Sequence, residues 1–320
     1  MLDCSYWLGQ FKRSLTPLIC SALIIALSGC TDSVRKVSYV TDDAAGLNAL
    51  SPKEGRSSLQ KKSPKELVNA GFIYLANKNL KIAELHFATA INKDPKMADA
   101  FIGLGRTEMI KGNYSAAQIY FSKARELKPD SVPAIIGEAQ ALRSEGKLDA
   151  AIKKINQAMT VDPEDISVLK ELALVYDLMG KENLSGPLYL EVVEKSPDQA
   201  ASHNNLGLNY MVRGEYSEAI LSFLQAHELD RENSRIKNNL ASAYLLYGDK
   251  DKALSIFKAT LGEAMAYNNI GYLLMTQGHF DEAEKALNKA LQLDPRHYVR
   301  AQENLERLQG MRQSAHASHL

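Results

Sequence analysis

Cys30 and three pairs of asparagines are the side chains whose type and placement could carry chemistry in this chain. Cys30 closes the run Leu27-Ser28-Gly29-Cys30, in which the two residues before it are small. Cys4 and Cys20, the other two cysteines, both lie upstream, so nothing beyond residue 30 can form a disulfide or a thiolate metal site. The asparagines stand in pairs at 204/205, 238/239 and 268/269. Each amide offers a donor and an acceptor, the combination needed to hold a peptide backbone. Catalytic patterns are missing. The seven histidines form no HxxxH or HExxH motif, and the sequence has no phosphate loop and no GxSxG. Glu218, Glu282 and Glu284 fall at expected helix starts, where a negative charge favours the helix dipole. The reading is of a binding protein without cofactor or metal, not an enzyme.

Composition agrees. The 320 residues carry 38 Lys+Arg against 38 Asp+Glu, with 45% hydrophobic residues. That balance fits a globular chain and lacks the basic excess of a nucleic-acid-binding surface. At the N-terminus, Lys12 and Arg13 precede the thirteen-residue apolar run Leu15–Leu27, too short to span a membrane and of the length of a signal-peptide core. Basic region, apolar core and Leu-Ser-Gly-Cys together resemble the signal and lipobox of bacterial lipoproteins. The resemblance implies that residues 1–29 are a signal peptide and that Cys30 becomes the first residue, with diacylglycerol on its sulfur and an acyl chain such as palmitate on its nitrogen. Thr31, in place of an inner-membrane-retaining Asp, implies the outer membrane, with the protein on its periplasmic face. Removing Lys12, Arg13 and Asp3 leaves 36 basic and 37 acidic side chains, so anchoring rests on the acyl chains rather than on a basic patch. Residues 30–63 lack helical or strand periodicity and are expected to form a flexible tether spanning roughly 30 Å.

The elements that must position the asparagines repeat along the chain. Small residues at Ala83, Ala117, Ala151, Ser185, Ala219, Ala253 and Ala283 are spaced by 34 residues five times and by 30 once. Another small residue precedes each by twelve positions, from Gly71 to Gly271, and an aromatic or branched side chain follows four positions after, from Phe87 to Leu287. A glycine recurs between the two small positions in repeats two to seven, with Lys78 in its place in the first. The pattern describes two short antiparallel helices per repeat that cross at the small residues and turn at the glycine. It resembles the tetratricopeptide repeat. The expected fold is an all-α superhelical solenoid with seven repeats over residues 64–295, a capping helix over 296–310 and a disordered tail over 311–320. Pro187 is expected to delay or bend its helix, and the shortened sixth repeat to turn tightly at Gly262.

In peptide-binding tetratricopeptide proteins, an asparagine just before the apolar residue of the first helix faces the groove. That resemblance implies groove roles for Asn205, Asn239 and Asn269, with Asn69 in the first repeat, whereas Gly103, Gly137 and Glu171 interrupt the series. Leu208, Met211, Leu245, Tyr272 and Met275, one turn along, are expected to give the groove an apolar floor. Lipobox, tether and repeats, with the stretch from Ala266 to Tyr272, resemble the TadD-type lipoproteins of tight-adherence (Flp) pilus assembly and the related pilotins. The partner this implies is an outer-membrane secretin or another pilus-assembly component. The alternative resemblance is to NlpI-type adaptors that bring proteases or peptidoglycan hydrolases to their targets.

Overall fold

The computed structural model describes Leu59, residues 61–294 and residues 298–317. The expected signal peptide, Cys30 and nearly all of the tether lie outside these residues. The described residues form fifteen α-helices and no strand. Seven helix pairs follow the sequence frame: α1 Pro64–Ala76 with α2 Leu80–Lys93, α3 Ala98–Lys111 with α4 Tyr114–Leu127, α5 Val132–Ser144 with α6 Leu148–Val161, and α7 Ile166–Leu178 with α8 Glu182–Lys195. Then come α9 Ala200–Val212 with α10 Tyr216–Leu229, α11 Ser234–Tyr247 with α12 Lys250–Leu261, and α13 Glu263–Thr276 with α14 Phe280–Leu293. The last helix is α15, Tyr298–Ala317. This is the tetratricopeptide-repeat solenoid fold. Two compact units divide between Val175 and Tyr176, inside α7.

The array starts at a capping box. Ser63 accepts from the Glu66 backbone N–H at 3.3 Å, and Glu66 accepts from the Ser63 N–H at 2.7 Å. Pro64 has no N–H, so two of the three helix-start donors that lack an intrahelical partner are thereby satisfied, and the bonds from the Ser63 N–H and hydroxyl to the Glu66 carboxylate lower its pKa. Each first helix then ends the same way. An N–H one residue past the turn reaches back five residues, as in Asn79 to Tyr74 at 2.8 Å and Asn113 to Glu108 at 2.9 Å. The residue between adopts the left-handed conformation that glycine takes without steric cost. Lys78, at φ 61°, holds that conformation as the one non-glycine residue with positive φ among those described.

Within the N-terminal unit, the Phe87 ring is fully buried where the first helices of repeats one and two approach it. A Cβ at Gly71 would lie 2.5 Å from that ring, and one at Gly103 would lie 2.3 Å away. Phe121 is held likewise between Gly105 and Gly137, at 2.7 and 2.5 Å. In the C-terminal unit Gly207 meets Phe223 at 2.7 Å and Gly271 meets Leu287 at 2.7 Å.

Two expectations change. Pro187 does not delay α8, which starts at Glu182 and continues through the proline. The capping helix does not stop at residue 310: α15 runs to Ala317, so residues 311–317 are helical. Met311 packs on the core formed by α13 and α14, and Arg312 pairs with Asp281 at 2.6 Å and Glu284 at 3.0 Å, which carries the helix onward. The tight turn expected in the shortened sixth repeat is present: α12 has 12 residues against 14 in the other second helices, and Gly262 alone separates it from α13.

Gly262 lies at φ 86°, ψ 166°, a region essentially closed to residues with a Cβ. Gly262→Ala is expected to destabilise the protein by about 1–3 kcal/mol, read as a lower urea midpoint at unchanged m-value. An unchanged midpoint would mean that the junction relaxes without cost.

Candidate partner-binding site

The asparagine pairs lie on α9, α11 and α13, the first helices of repeats five to seven, all within the C-terminal unit. Their amides mainly join helices. Asn239 donates its Nδ2 to Asn204 Oδ1 at 2.8 Å, linking α11 to α9. Asn304 of α15 donates to Asn268 Oδ1 at 3.0 Å, linking α15 to α13. Asn239 and Asn269 are both buried, whereas Asn205 is half-exposed. The Asn269 Nδ2 has no hydrogen-bond partner among the described residues.

The expected apolar floor is likewise mostly interior. Met211, Tyr272 and Met275 are each 1% exposed and Leu245 is 2% exposed, while Leu208 is half-buried. Met211 packs with Phe223, Leu240 and Ala243. Leu245, Tyr272 and Met275 share a core with Leu305 and Leu308 of α15. Arg307 lies over the Tyr272 ring at 6.0 Å, and burial pushes the phenol pKa up against the pull of that cation. These side chains are enclosed because the C-terminal helix and the neighbouring first helices close around them. A groove floor they are not. Asn205 and Leu208 alone of the eight keep appreciable accessible surface.

The interruptions of the asparagine series also have physical causes. Gly103 and Gly137 stand where the Phe87 and Phe121 rings leave no room for a side chain. Glu171 is buried and accepts from Arg143 Nε at 2.6 Å, an ion pair within the N-terminal unit.

Two polar features were not anticipated from the sequence. Glu138 occupies the frame position held by Leu104, Leu172, Leu206, Leu240 and Ile270, yet it is buried. It pairs with Arg125 at 3.1 Å and with Lys154. Around it a cleft of about 480 Å³ is lined by Gln118, Ser122, Arg125, Lys153 and Gln157 among others. A carboxylate at an apolar register position was the readable signal. In the C-terminal unit, buried Asp177 accepts from Tyr189 Oη at 2.8 Å, from Asn209 Nδ2 at 3.0 Å and from the Ser185 hydroxyl. Burial pushes its pKa up to about 6, opposed by these three donors and reinforced by nearby Glu182. Serine in the small-residue position of repeat four was the corresponding signal. Among the described residues no group of His, Cys, Asp or Glu could hold a metal ion, and no helix is long and apolar enough to cross a membrane.

Three stretches match tetratricopeptide-repeat family models: residues 70–132, 200–233 and 264–297. Solved structures share the fold. A thermophilic tetratricopeptide-repeat protein of Thermus thermophilus is 20% identical, with a TM-score of 0.53 over 57% of this chain and 100% of that one. A tetratricopeptide-repeat protein of Parabacteroides merdae is 17% identical, with a TM-score of 0.52 over 77% of this chain and 98% of its own. PilF of Pseudomonas aeruginosa is 19% identical, with a TM-score of 0.53 over 67% of this chain and 96% of its own. No curated protein sequence matches the chain. Repeats of this kind make the protein a scaffold for protein–protein interaction.

Asn239→Ala leaves the Asn204 oxygen without its donor, and stability should fall by about 1–3 kcal/mol, measured by urea unfolding. An unchanged midpoint would show that the amide bond contributes nothing. Asp177 titrates at about 6 in the folded protein against an ordinary aspartate value of 3.8. Because the folded state holds this proton more tightly, its contribution to stability is full below the unfolded pKa and is lost as pH rises toward about 6. Asp177→Asn should therefore flatten the stability–pH profile between roughly pH 4 and 6.5. A variant profile parallel to the wild type would contradict that assignment.

Proposed function

We propose that the protein is a lipid-anchored scaffold of the outer membrane, held on the periplasmic face by acyl chains on Cys30, that helps assemble a secretin of a tight-adherence pilus or related system. The observation that carries this reading is the order of parts. A basic region, a thirteen-residue apolar core and Leu27-Ser-Gly-Cys30 precede seven interaction repeats. Acyl chains contribute about 0.8 kcal/mol per buried methylene, so more than one chain gives stable anchoring without a basic patch. The repeats supply binding surface and no catalytic group is needed. The same fold occurs in Pseudomonas aeruginosa PilF. Accessible Asn205 and Leu208 of α9 are where a partner segment would meet the first-helix face.

Cys30→Ser should abolish processing, leaving a precursor longer by the 29 signal residues on a denaturing gel, and should remove the protein from the outer-membrane fraction. A variant processed and localised like the wild type would exclude lipidation at Cys30. Copurification of the wild-type protein from detergent-solubilised membranes should bring down a secretin. A cell-wall hydrolase or protease in its place would exclude the pilus reading while leaving the anchor intact.

A further inference from the structure

On the outer faces of α8 and α10, the second helices of repeats four and five, apolar side chains stand in water. Leu221 is 68% exposed, Leu184 50%, Leu190 44% and Leu224 38%. Pro187 is exposed beside them. The positions are in register. Pro187 and Leu190 follow the small residue Ser185 by two and five places, and Leu221 and Leu224 follow Ala219 by the same steps. A spacing of three residues puts each pair on one helix face. No other repeat carries an apolar side chain larger than a methyl group at both places. The corresponding pairs are Leu85 and Ala88, Ile119 and Ser122, Lys153 and Asn156, Ser255 and Lys258, and Lys285 and Asn288, of which only the first is free of polar residues and there the second member is a bare methyl. Leu85 and Ile119 are also exposed at the first of these places in repeats one and two, whereas lysine stands there in repeats three and seven.

Charge singles out the same two helices. Within its bounds α8 carries Glu182, Glu191 and Glu194 against Lys195, and α10 carries Glu218 and Glu228 without Lys or Arg, a net −2 each, while Arg231 just beyond α10 pairs with Glu228 at 2.6 Å. The next second helix, α12, has Lys250, Lys252 and Lys258 against Asp251, a net +2. An apolar stripe with an acidic border is unfavourable next to an anionic bilayer surface and favourable next to cations. We propose that the outer face of α8 and α10 docks a cationic amphipathic helix of a protein partner, with the partner's apolar residues on Leu190, Leu221 and Leu224 and its lysines or arginines beside Glu194 and Glu218. The face lies on the second helices, so this contact is separate from the first-helix face around Asn205 and Leu208. It rests on the interaction-scaffold reading of the repeats and does not depend on which partner the anchor serves.

The probe is a fluorescent eighteen-residue peptide of leucine and lysine, patterned so that one helical face is leucine, titrated by anisotropy into the full-length protein in neutral detergent. The wild type should bind it, and the same peptide with glutamate for lysine should not bind. The double substitution Leu221→Ser, Leu224→Ser should weaken binding about tenfold or more. Glu194→Lys with Glu218→Lys should do the same while leaving every leucine in place, and the far-ultraviolet helical signal should be unchanged in both. Equal affinity for wild type and variants would overturn the proposal. So would self-association, or binding to phosphatidylglycerol vesicles, that depends on Leu221 and Leu224, because the occupant would then be a second copy or a lipid surface. Failure of the lipid-anchor reading would leave this result untouched.

Discussion

Packing in repeats one and two depends on how closely the helices can approach one large side chain. Phe87 and Phe121 each sit where a Cβ on two facing helices would come within 2.7 Å or less of the ring. No real side chain tolerates that distance, so Phe87 and Phe121 fit only because the residues facing them are glycine. Close packing of this kind places the helix axes, and interiors packed to crystal-like density transmit any mismatch to their neighbours. Phe87 and Phe121 each join the first helix of their own repeat to that of the next.

The carboxylates buried inside this frame bring partners with them. Glu138 has Arg125 and Lys154, Glu171 has Arg143, and Asp177 has three hydrogen-bond donors. A buried carboxylate without such partners would be costly, and the pairing offsets the loss of water. The Asp177 site shows the balance directly: burial moves its pKa upward in spite of three donors. These sites gather in repeats three and four, the stretch where the asparagine series is interrupted and where alanine gives way to Ser185. Repeat chemistry there serves cohesion between helices.

Much of the fold was legible because its causes are local and periodic. The small residues, the ring four places on and the turn glycine reappear at a fixed step, and the helices fall on that frame, including the shortened sixth repeat. The continuity of α8 through Pro187 was not legible, because whether a proline in the second turn breaks a helix depends on tertiary packing around Gly186, Asn209 and Arg213. The extension of α15 depends on Arg312 reaching two carboxylates about thirty residues away in sequence. The site was less readable still. An asparagine that bonds a ligand and one that bonds the next helix look identical in sequence, and the difference lies in the 2.8 Å contact from Asn239 to Asn204. Likewise, helical spacing places Met211 and Tyr272 on a face without revealing that Leu240 or α15 covers it.

The central claim, that ring and glycine are one unit, is tested most directly by urea unfolding of Gly137→Val in two backgrounds. With Phe121 present, the added side chain must displace the ring, at a cost of about 1–3 kcal/mol. With Phe121→Ala already in place, the space is open and the same substitution should cost close to nothing or recover stability, giving a coupling of about 1 kcal/mol or more. An equal cost in both backgrounds would contradict the account, since it would mean that Gly137 is required for something other than room for the ring.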